Sequence, residues 1–552
     1  MKKLLSLFVV TLLSVSPLLA QGGSARIDAN KIRERVIRLS ADDFEGRGPG
    51  TPGSVRAAEY IAAEMQAAKI APGNGRSYFQ NVKMVGVKVD PATQMQFTGP
   101  RNAQRSLRFG DDFVATTGAQ RSGVKVDAEV VFAGFGIDAP LYNWNDYSGP
   151  AEDYRGKILL IMVNDPPATA EEPDLFGGRA LTYYGRWTYK YEEAARRGAA
   201  GVILIHTNES AGYGWNVVRT SFGGARSELA RSAGDPRPFL DLMSWITDDA
   251  AKAVVAGAGL DLDQLRVSAA KRGFKAVKTG LRMQIELKAE IKNFESPNIV
   301  GRVDGSDRRL SQEFVLYTAH WDHLGIGEPD ATGDRIYNGA YDNASGVAAV
   351  LGIGEAIAAL PRAQRPKRTT YILFPTAEEQ GLLGAEYFTQ NPLIPLNKIA
   401  GNVNIDGVNF FGRTRDFSAL GSERSTIGPM VEEVARERSM VLEGDARPEQ
   451  GFFFRSDHFP FAKAGVPAVS LRHGDDFDPP LRGEALSFFT TYTARHYHQP
   501  SDQFHDWWDS AAMLQNAELG FAIGLKIANS PTMPRYKPTD EFFDADRKRM
   551  GR

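Results

Sequence analysis

Cysteine is absent from this 552-residue chain. Disulfides, a thiol nucleophile and thiolate metal ligands are thereby excluded, and any metal must rest on imidazole and carboxylate groups. Histidine is scarce, with 8 residues, and seven of them (His320, His323, His458, His473, His496, His498 and His505) lie in the C-terminal part. Neither sign of charge dominates: 65 basic side chains face 67 acidic ones, and no long basic stretch interleaves with aromatics. Nucleic acid is therefore not an expected partner. No internal repeat is present. Met1-Lys-Lys, the apolar run from Leu4 to Leu19 and then Ala20-Gln21-Gly follow the charged, apolar and small-residue order of a secretory signal peptide. That run contains Ser6, Ser14, Ser16 and Pro17 and is short for a transmembrane helix. Residues 1–20 are expected to be cleaved, leaving an exported protein with no stable membrane span, periplasmic or extracellular in a bacterium.

The length invites two or three domains. Ile32 to Leu39 and Ser54 to Lys69 read as helices, joined by the ordered turn-rich loop Phe44-Glu-Gly-Arg-Gly-Pro-Gly-Thr-Pro-Gly. From about Val124 the texture changes to strands, among them Ala128 to Ile137, Lys157 to Val163 and Gly201 to His206. This stretch, residues 124–280, reads as a separate β-rich module inserted between residues 21–123 and residues 281–552. Leu281 to Ile291 alternates with period two, as a half-buried strand does. From Asn298 onward apolar strands alternate with helices, including Ser345 to Leu360, with Ser345 as the N-cap, and Gly381 to Thr389. Strand followed by helix, repeated, implies a mostly parallel central sheet with helices on both faces, an α/β fold.

Several acidic and imidazole side chains stand where those apolar runs end. Phe314 to Ala319 leads into His320-Trp-Asp322, Tyr371 to Ala377 into Glu378-Glu379, and Ile399 to Ile405 into Asp406. The carboxyl ends of parallel strands are where ligands collect in such folds, so the arrangement points to a metal site. Asp322, two residues beyond His320, could accept its second ring N–H and fix the metal-binding tautomer. Two unpaired glutamates at a buried strand end are costly without metal, proton or hydrogen bonds, so one could bind metal while the other stays free as a base. Asp342 and Asp406 offer carboxylates able to bridge or balance close cations.

His320-x-Asp322, Asp342-Asn343, Glu378-Glu379, Asp406 and Tyr497-His498 stand in an order that resembles the M28 family of dizinc peptidases. Gly346, Gly381, Gly384, the Gly-Arg-Gly-Pro-Gly-Thr-Pro-Gly segment, Asn298-Ile-Val-Gly, Ser456-Asp-His-Phe-Pro-Phe and His498-Gln-Pro-Ser-Asp502 share the likeness. The resemblance implies a zinc exopeptidase fold of the phosphorylase/hydrolase-like type, with the inserted module as a protease-associated domain. It further implies two zinc ions: His320 and Asp406 on one, Glu379 and His498 on the other, and Asp342 bridging. Glu378 would be the general base, Asp322 would orient His320, and Tyr497 would help stabilise the oxyanion. Asn343 departs from the second aspartate of some members, and the Asp342–Asn343 bond is expected to be cis.

The implied activity is hydrolysis of peptides, most simply by an aminopeptidase. A carboxypeptidase or dipeptidase acting on acidic substrates is the alternative, and it would need a basic cluster for which Arg455, Arg472 and Arg495 are candidates. A non-catalytic binding protein is disfavoured because the whole implied ligand set is present, and a glutaminyl-cyclase-like transferase because such relatives usually lack the module. Phe452-Phe-Phe454, Phe410-Phe411 and Phe488-Phe489 could line a specificity pocket, with core packing the expected role of most of them.

Overall fold

The computed structural model describes residues 26–211, 214–232, 234–479 and 482–551. The expected leader at residues 1–20 lies outside the described residues. Two sheets share one long strand, Val277–Val303. The first sheet runs Phe79–Val89, Val277–Val303, Thr369–Phe374, Phe314–Thr318, Ile399–Ile405, Ala468–His473, Asp416–Leu420 and Val441–Glu443. The four strands from Thr369–Phe374 to Ala468–His473 are mutually parallel, and antiparallel neighbours flank them on both sides.

Those parallel strands are largely buried and mostly apolar because both faces are covered, with Asn402, Asn404 and Ser470 as buried polar exceptions. Val315, Tyr317, Ile372 and Phe374 join the core formed with helices Ala29–Leu39, Gly346–Ala359 and Ser510–Asn529. The alternate residues Leu316, Tyr371 and Leu373 join a second core with helices Leu383–Gln390 and His458–Lys463. The chain moves from Phe314–Thr318 to Thr369–Phe374 on one side and then to Ile399–Ile405 on the other. That reversal opens a crevice at the strands' carboxyl ends.

The second sheet joins the first half of the shared strand to Gln94–Thr98, Gln104–Arg108, Gly123–Phe132, Ile158–Met162, Gly201–His206, Leu242–Thr247 and Phe113–Thr116. It has its own apolar clusters, helped by helices Trp187–Arg196 and Asp248–Ala256. Its strands between Gln94 and Thr116 lie upstream of residue 124, where the change of texture was read. Along the shared strand burial alternates residue by residue from Thr279 to Leu287, the period read at Leu281.

The turn-rich N-terminal loop is ordered. It forms a short helical turn at Asp42–Arg47 and then the helix Pro52–Ala67, whose Thr51 and Ser54 make a reciprocal cap. Glycine is required at 46, where φ is +62° and a Cβ would stand 2.5 Å from the carbonyl oxygens of Gly325 and Tyr337.

Candidate metal centre

Each side chain read from the sequence reaches the crevice from a different element. His320 follows Phe314–Thr318, Glu378 and Glu379 follow Thr369–Phe374, and Asp406 follows Ile399–Ile405. His498 follows the helix Arg482–His496, where its own φ of +58° turns the chain. Asp342 lies in the tight segment Ala340–Ser345, and the bond from Asp342 to Asn343 is cis.

Asp342 occupies the middle of the group. Its Oδ1 is 3.1 Å from His320 Nε2 and its Oδ2 is 3.1 Å from His498 Nε2. Asp406 Oδ1 stands 3.3 Å from His320 Nε2, and Glu379 Oε2 stands 3.1 Å from His498 Nε2. One imidazole and one carboxylate thus flank each oxygen of a shared carboxylate. Donor atoms of His320, Asp342 and Glu379 lie within 4.8 Å of one another, as do those of His320, Glu378 and Asp406. Two half-sites of nitrogen and oxygen donors around a common carboxylate fit a pair of divalent cations of the zinc type.

The electrostatics follow from the crowding. Burial opposes a charged His320, but the carboxylates of Glu378 and Asp406 and the bond to Asp342 outweigh it and hold its pKa well above the ordinary imidazole value. His498 is raised in the same way against burial, by Glu379 and Asp342. Asp342 is held well below the ordinary carboxylate range, its burial outweighed by the two imidazoles. Glu378 goes the opposite way. Burial, aided by Asp406, Glu379 and Asp457, lifts it well above the usual value. Of the paired glutamates, one is tied to two imidazoles and the other has the raised proton affinity of a general base.

Asp322 acts differently from the sequence expectation. Its carboxylate is 4.0 Å from His320 Nδ1, and the ring N–H instead donates to the Asp322 backbone carbonyl at 3.2 Å. A carbonyl only accepts, so the proton sits on Nδ1 and Nε2 is left for a cation. The Asp322 carboxylate accepts from the Glu378 backbone N–H at 3.2 Å, holding the Glu378 segment rather than the imidazole. Tyr497 stacks on His498 with ring centres 3.9 Å apart. Desolvation and the charges of Asp342, Glu379, Glu378 and Asp406 keep its phenol protonated far above the ordinary range.

Asn343 is used at every polar atom. Its Nδ2 donates to the Ile405 carbonyl at 3.1 Å, and its Oδ1 accepts from Gly346 at 2.9 Å and Gly407 at 3.0 Å. Asparagine rather than aspartate holds the residues on either side of Asp406. Ser345 stands at the N-cap position of the helix Gly346–Ala359, as read from the sequence, but makes no side-chain cap bond: its hydroxyl donates to Tyr341 and accepts from Val408, and the Gly346 N–H is met by Asn343.

Four buried residues not singled out as site residues support the group. Arg47 donates to the carbonyls of Trp321, Leu39, Asn338 and Gly339, joining the His320 and Asp342 segments to the N-terminal loop. The Asp502 carboxylate accepts from the backbone of Tyr341 and Asp342 at 3.0 and 3.1 Å. His323 Nδ1 lies 2.7 Å from Glu379 Oε1. Asp457, wholly buried, has neither oxygen hydrogen-bonded. Arg47, Asp457 and Asp502 sat inside quoted motifs, and only their buried contacts reveal what they hold. Of the candidate arginines, Arg455 and Arg472 lie beside Phe452 and Arg495 is exposed. Phe410, Phe453 and Phe454 are core residues.

Residues 298–522 match the model of Peptidase family M28. The chain is 29% identical over 207 residues to Leupeptin-inactivating enzyme 1 of Streptomyces exfoliatus, covering 36% of this chain and 45% of that protein. It is 33% identical over 120 residues to a Vacuolar membrane protease of Clavispora lusitaniae, covering 22% of this chain and 10% of that protein. The chain thus spans less than half the length of either curated relative. In architecture it is similar to an aminopeptidase from Aneurinibacillus sp. strain AM-1, with a TM-score of 0.50 at 17% identity, over 93% of this chain and 95% of that one.

Proposed function

Residues 298–522 belong to peptidase family M28, and from that premise we propose that the chain is a zinc metallopeptidase, specifically an aminopeptidase that removes N-terminal residues from peptides. The observation that carries this reading is the shared carboxylate: both Asp342 oxygens stand 3.1 Å from an imidazole, His320 on one side and His498 on the other. His320, Asp406 and Asp342 would hold one zinc ion, and His498, Glu379 and Asp342 the other. When bound, the ions supply a water of lowered pKa and positive charge facing the scissile carbonyl. Glu378, with its raised proton affinity, takes a proton from the attacking water and passes it to the leaving amine. Asp322 keeps the Glu378 backbone in place for that transfer, and the protonated Tyr497 hydroxyl donates to the oxyanion.

Export to the periplasm or exterior is part of the proposal, supported by the charged, apolar and small-residue order of residues 1–20. Among the described residues no helix is long and apolar enough to cross a membrane. The second-sheet module is assigned as a protease-associated domain; its separate apolar clusters support that reading. The test is a chelator-treated sample assayed on leucine p-nitroanilide and on its N-acetylated counterpart, with metal content measured alongside. Loss of activity, recovery with zinc at two ions per chain, and rejection of the blocked substrate are expected. Full activity after chelation, unchanged by added zinc, would defeat the proposal.

A further inference from the structure

His323 stands three residues beyond His320, and its backbone N–H donates to the Arg47 carbonyl at 3.4 Å. Its ring is wholly buried, held between the backbone of Gly339 and the ring of His498, which lies 5.7 Å away edge to face. A Cβ on Gly339 would stand 2.6 Å from two carbons of the His323 ring, and φ there is +56°, so glycine is what admits the imidazole. The ring is thereby held in one orientation.

In that orientation His323 Nδ1 lies 2.7 Å from Glu379 Oε1, while the other oxygen of the same carboxylate, Oε2, lies 3.1 Å from His498 Nε2. An ionised carboxylate only accepts, so Nδ1 carries the proton of this bond. At the far side of the ring Nε2 is buried and has no hydrogen-bond partner among the described residues. A buried nitrogen left unpaired is costly, so the ring's own polar balance does not account for its place here; the bond to Glu379 does.

We propose that His323 is a positioning residue for the cation beside His498: it occupies Oε1 of Glu379, so that the carboxylate offers that ion Oε2 alone. The inference rests on the zinc peptidase reading and adds a residue that none of the ligand assignments contains. Catalytic zinc sites use three protein ligands and leave a fourth place for water or substrate, a place that a carboxylate binding through both oxygens would fill. A carboxylate already held by a hydrogen bond also binds the ion more tightly, because it does not have to be ordered when the ion enters.

The test titrates zinc into chelator-treated full-length protein in competition with a chromophoric chelator. Wild type should take two ions per chain. His323→Leu keeps the branching of the side chain but has no donor; it should bind one ion as before and the other about 10–100-fold more weakly. His323→Asn places an amide N–H at the same two bonds from Cβ as Nδ1, and should return that affinity to within about threefold of wild type. On a Glu379→Ala background His323→Leu should have no further effect beyond about twofold, because the carboxylate through which it acts is gone. If the leucine variant does not fold, His323→Met takes its place. Equal affinities in wild type and the leucine variant overturn the proposal, as does an equal loss in the asparagine variant, which would make the ring a packing element. A loss spread over both ions, or a further loss on the Glu379→Ala background, overturns the assignment to Glu379. Wild-type protein that takes up no zinc defeats the metallopeptidase reading itself.

Discussion

Replacing Arg47 by methionine tests whether the N-terminal loop is part of the machinery or a mere strap. The guanidinium is 1% exposed and donates to four carbonyls, at 2.8 Å to Trp321, 2.6 Å to Leu39, 2.6 Å to Asn338 and 2.9 Å to Gly339. Methionine fills much of the volume and leaves the Trp321, Leu39 and Asn338 carbonyls dry and unpaired, at about 1–2 kcal/mol each or about 5 kcal/mol together, while Gly339 keeps the Ala344 N–H at 3.2 Å. Against this, burial alone disfavours the cation. It pulls the Arg47 pKa from 12.5 to about 10. At about 1.4 kcal/mol per unit that shift corresponds to about 3 kcal/mol, a cost that methionine escapes. The balance is about 2 kcal/mol of lost stability, read by urea unfolding followed through tryptophan fluorescence. Because Trp321 and Gly339 adjoin the His320 and Asp342 segments, kcat/KM on leucine p-nitroanilide should also fall, by about 10–100-fold. Arg47→Lys, with a compact charge reaching fewer carbonyls, should fall between the two. A methionine variant within about 1 kcal/mol of wild type and fully active would show that these bonds hold nothing the rest of the fold does not already hold.

Glu378→Gln should lower kcat by about 10²–10⁴-fold with zinc content unchanged, checked by steady-state kinetics beside metal analysis; a drop in zinc content instead would make Glu378 a ligand. Asn343→Asp removes the donor to the Ile405 carbonyl and sets a second carboxylate next to Asp342, so kcat/KM should drop about 10-fold with a lower thermal midpoint, and equal activity would remove the role given to the amide. Burial pushes the Glu541 carboxyl from 4.5 to about 7 despite its bond to Arg424, so the folded state holds that proton more tightly than the unfolded chain does. Its contribution is fully present below pH 4.5 and is lost as the pH rises through about 7; Glu541→Gln should flatten the stability slope over that window, measured by urea unfolding at stepped pH. Zinc must displace protons held by both raised imidazoles, so the zinc concentration giving half-maximal activity should climb steeply as pH falls, and a flat profile would exclude His320 and His498 as ligands.

The fold was legible wherever burial leaves a periodic trace in sequence. Phe314–Thr318, Thr369–Phe374 and Ile399–Ile405 are covered on both faces, so they read as mostly apolar runs, interrupted in the last by Asn402 and Asn404, and the residues just beyond them had to lie at the carboxyl edge. The extent of the second sheet was harder to read. Its strands Gln94–Thr98 and Gln104–Arg108 lie at a half-exposed margin, where polar residues dilute the pattern, and only the pairing of the first with the shared strand, and of the second with the first, assigns them to that sheet. Strand texture marks where apolar spacing begins, whereas sheet membership is set by partners far away in sequence.

The site divides along the same physical line. Imidazoles and carboxylates at strand ends have few bland explanations when several coincide, so His320, Asp342, Glu378, Glu379, Asp406 and His498 could be named together. What orients them could not be read from spacing. Asp322 was expected to reach the His320 ring because two residues separate them, yet the nearer acceptor is its own backbone carbonyl, and its carboxylate turns to Glu378. Spacing along a chain fixes which groups are close, but rotamers and competing donors decide which of them bond. Arg47 and Asp502 make the same point from a distance. Each satisfies backbone groups of the Trp321 to Asp342 region from residues far off in the chain, a choice the backbone makes only once the sheet has assembled. The ligand set is therefore a property of residue types at strand ends. Its precision is a property of buried backbone polar groups that needed partners, and those partners became visible only in the folded chain.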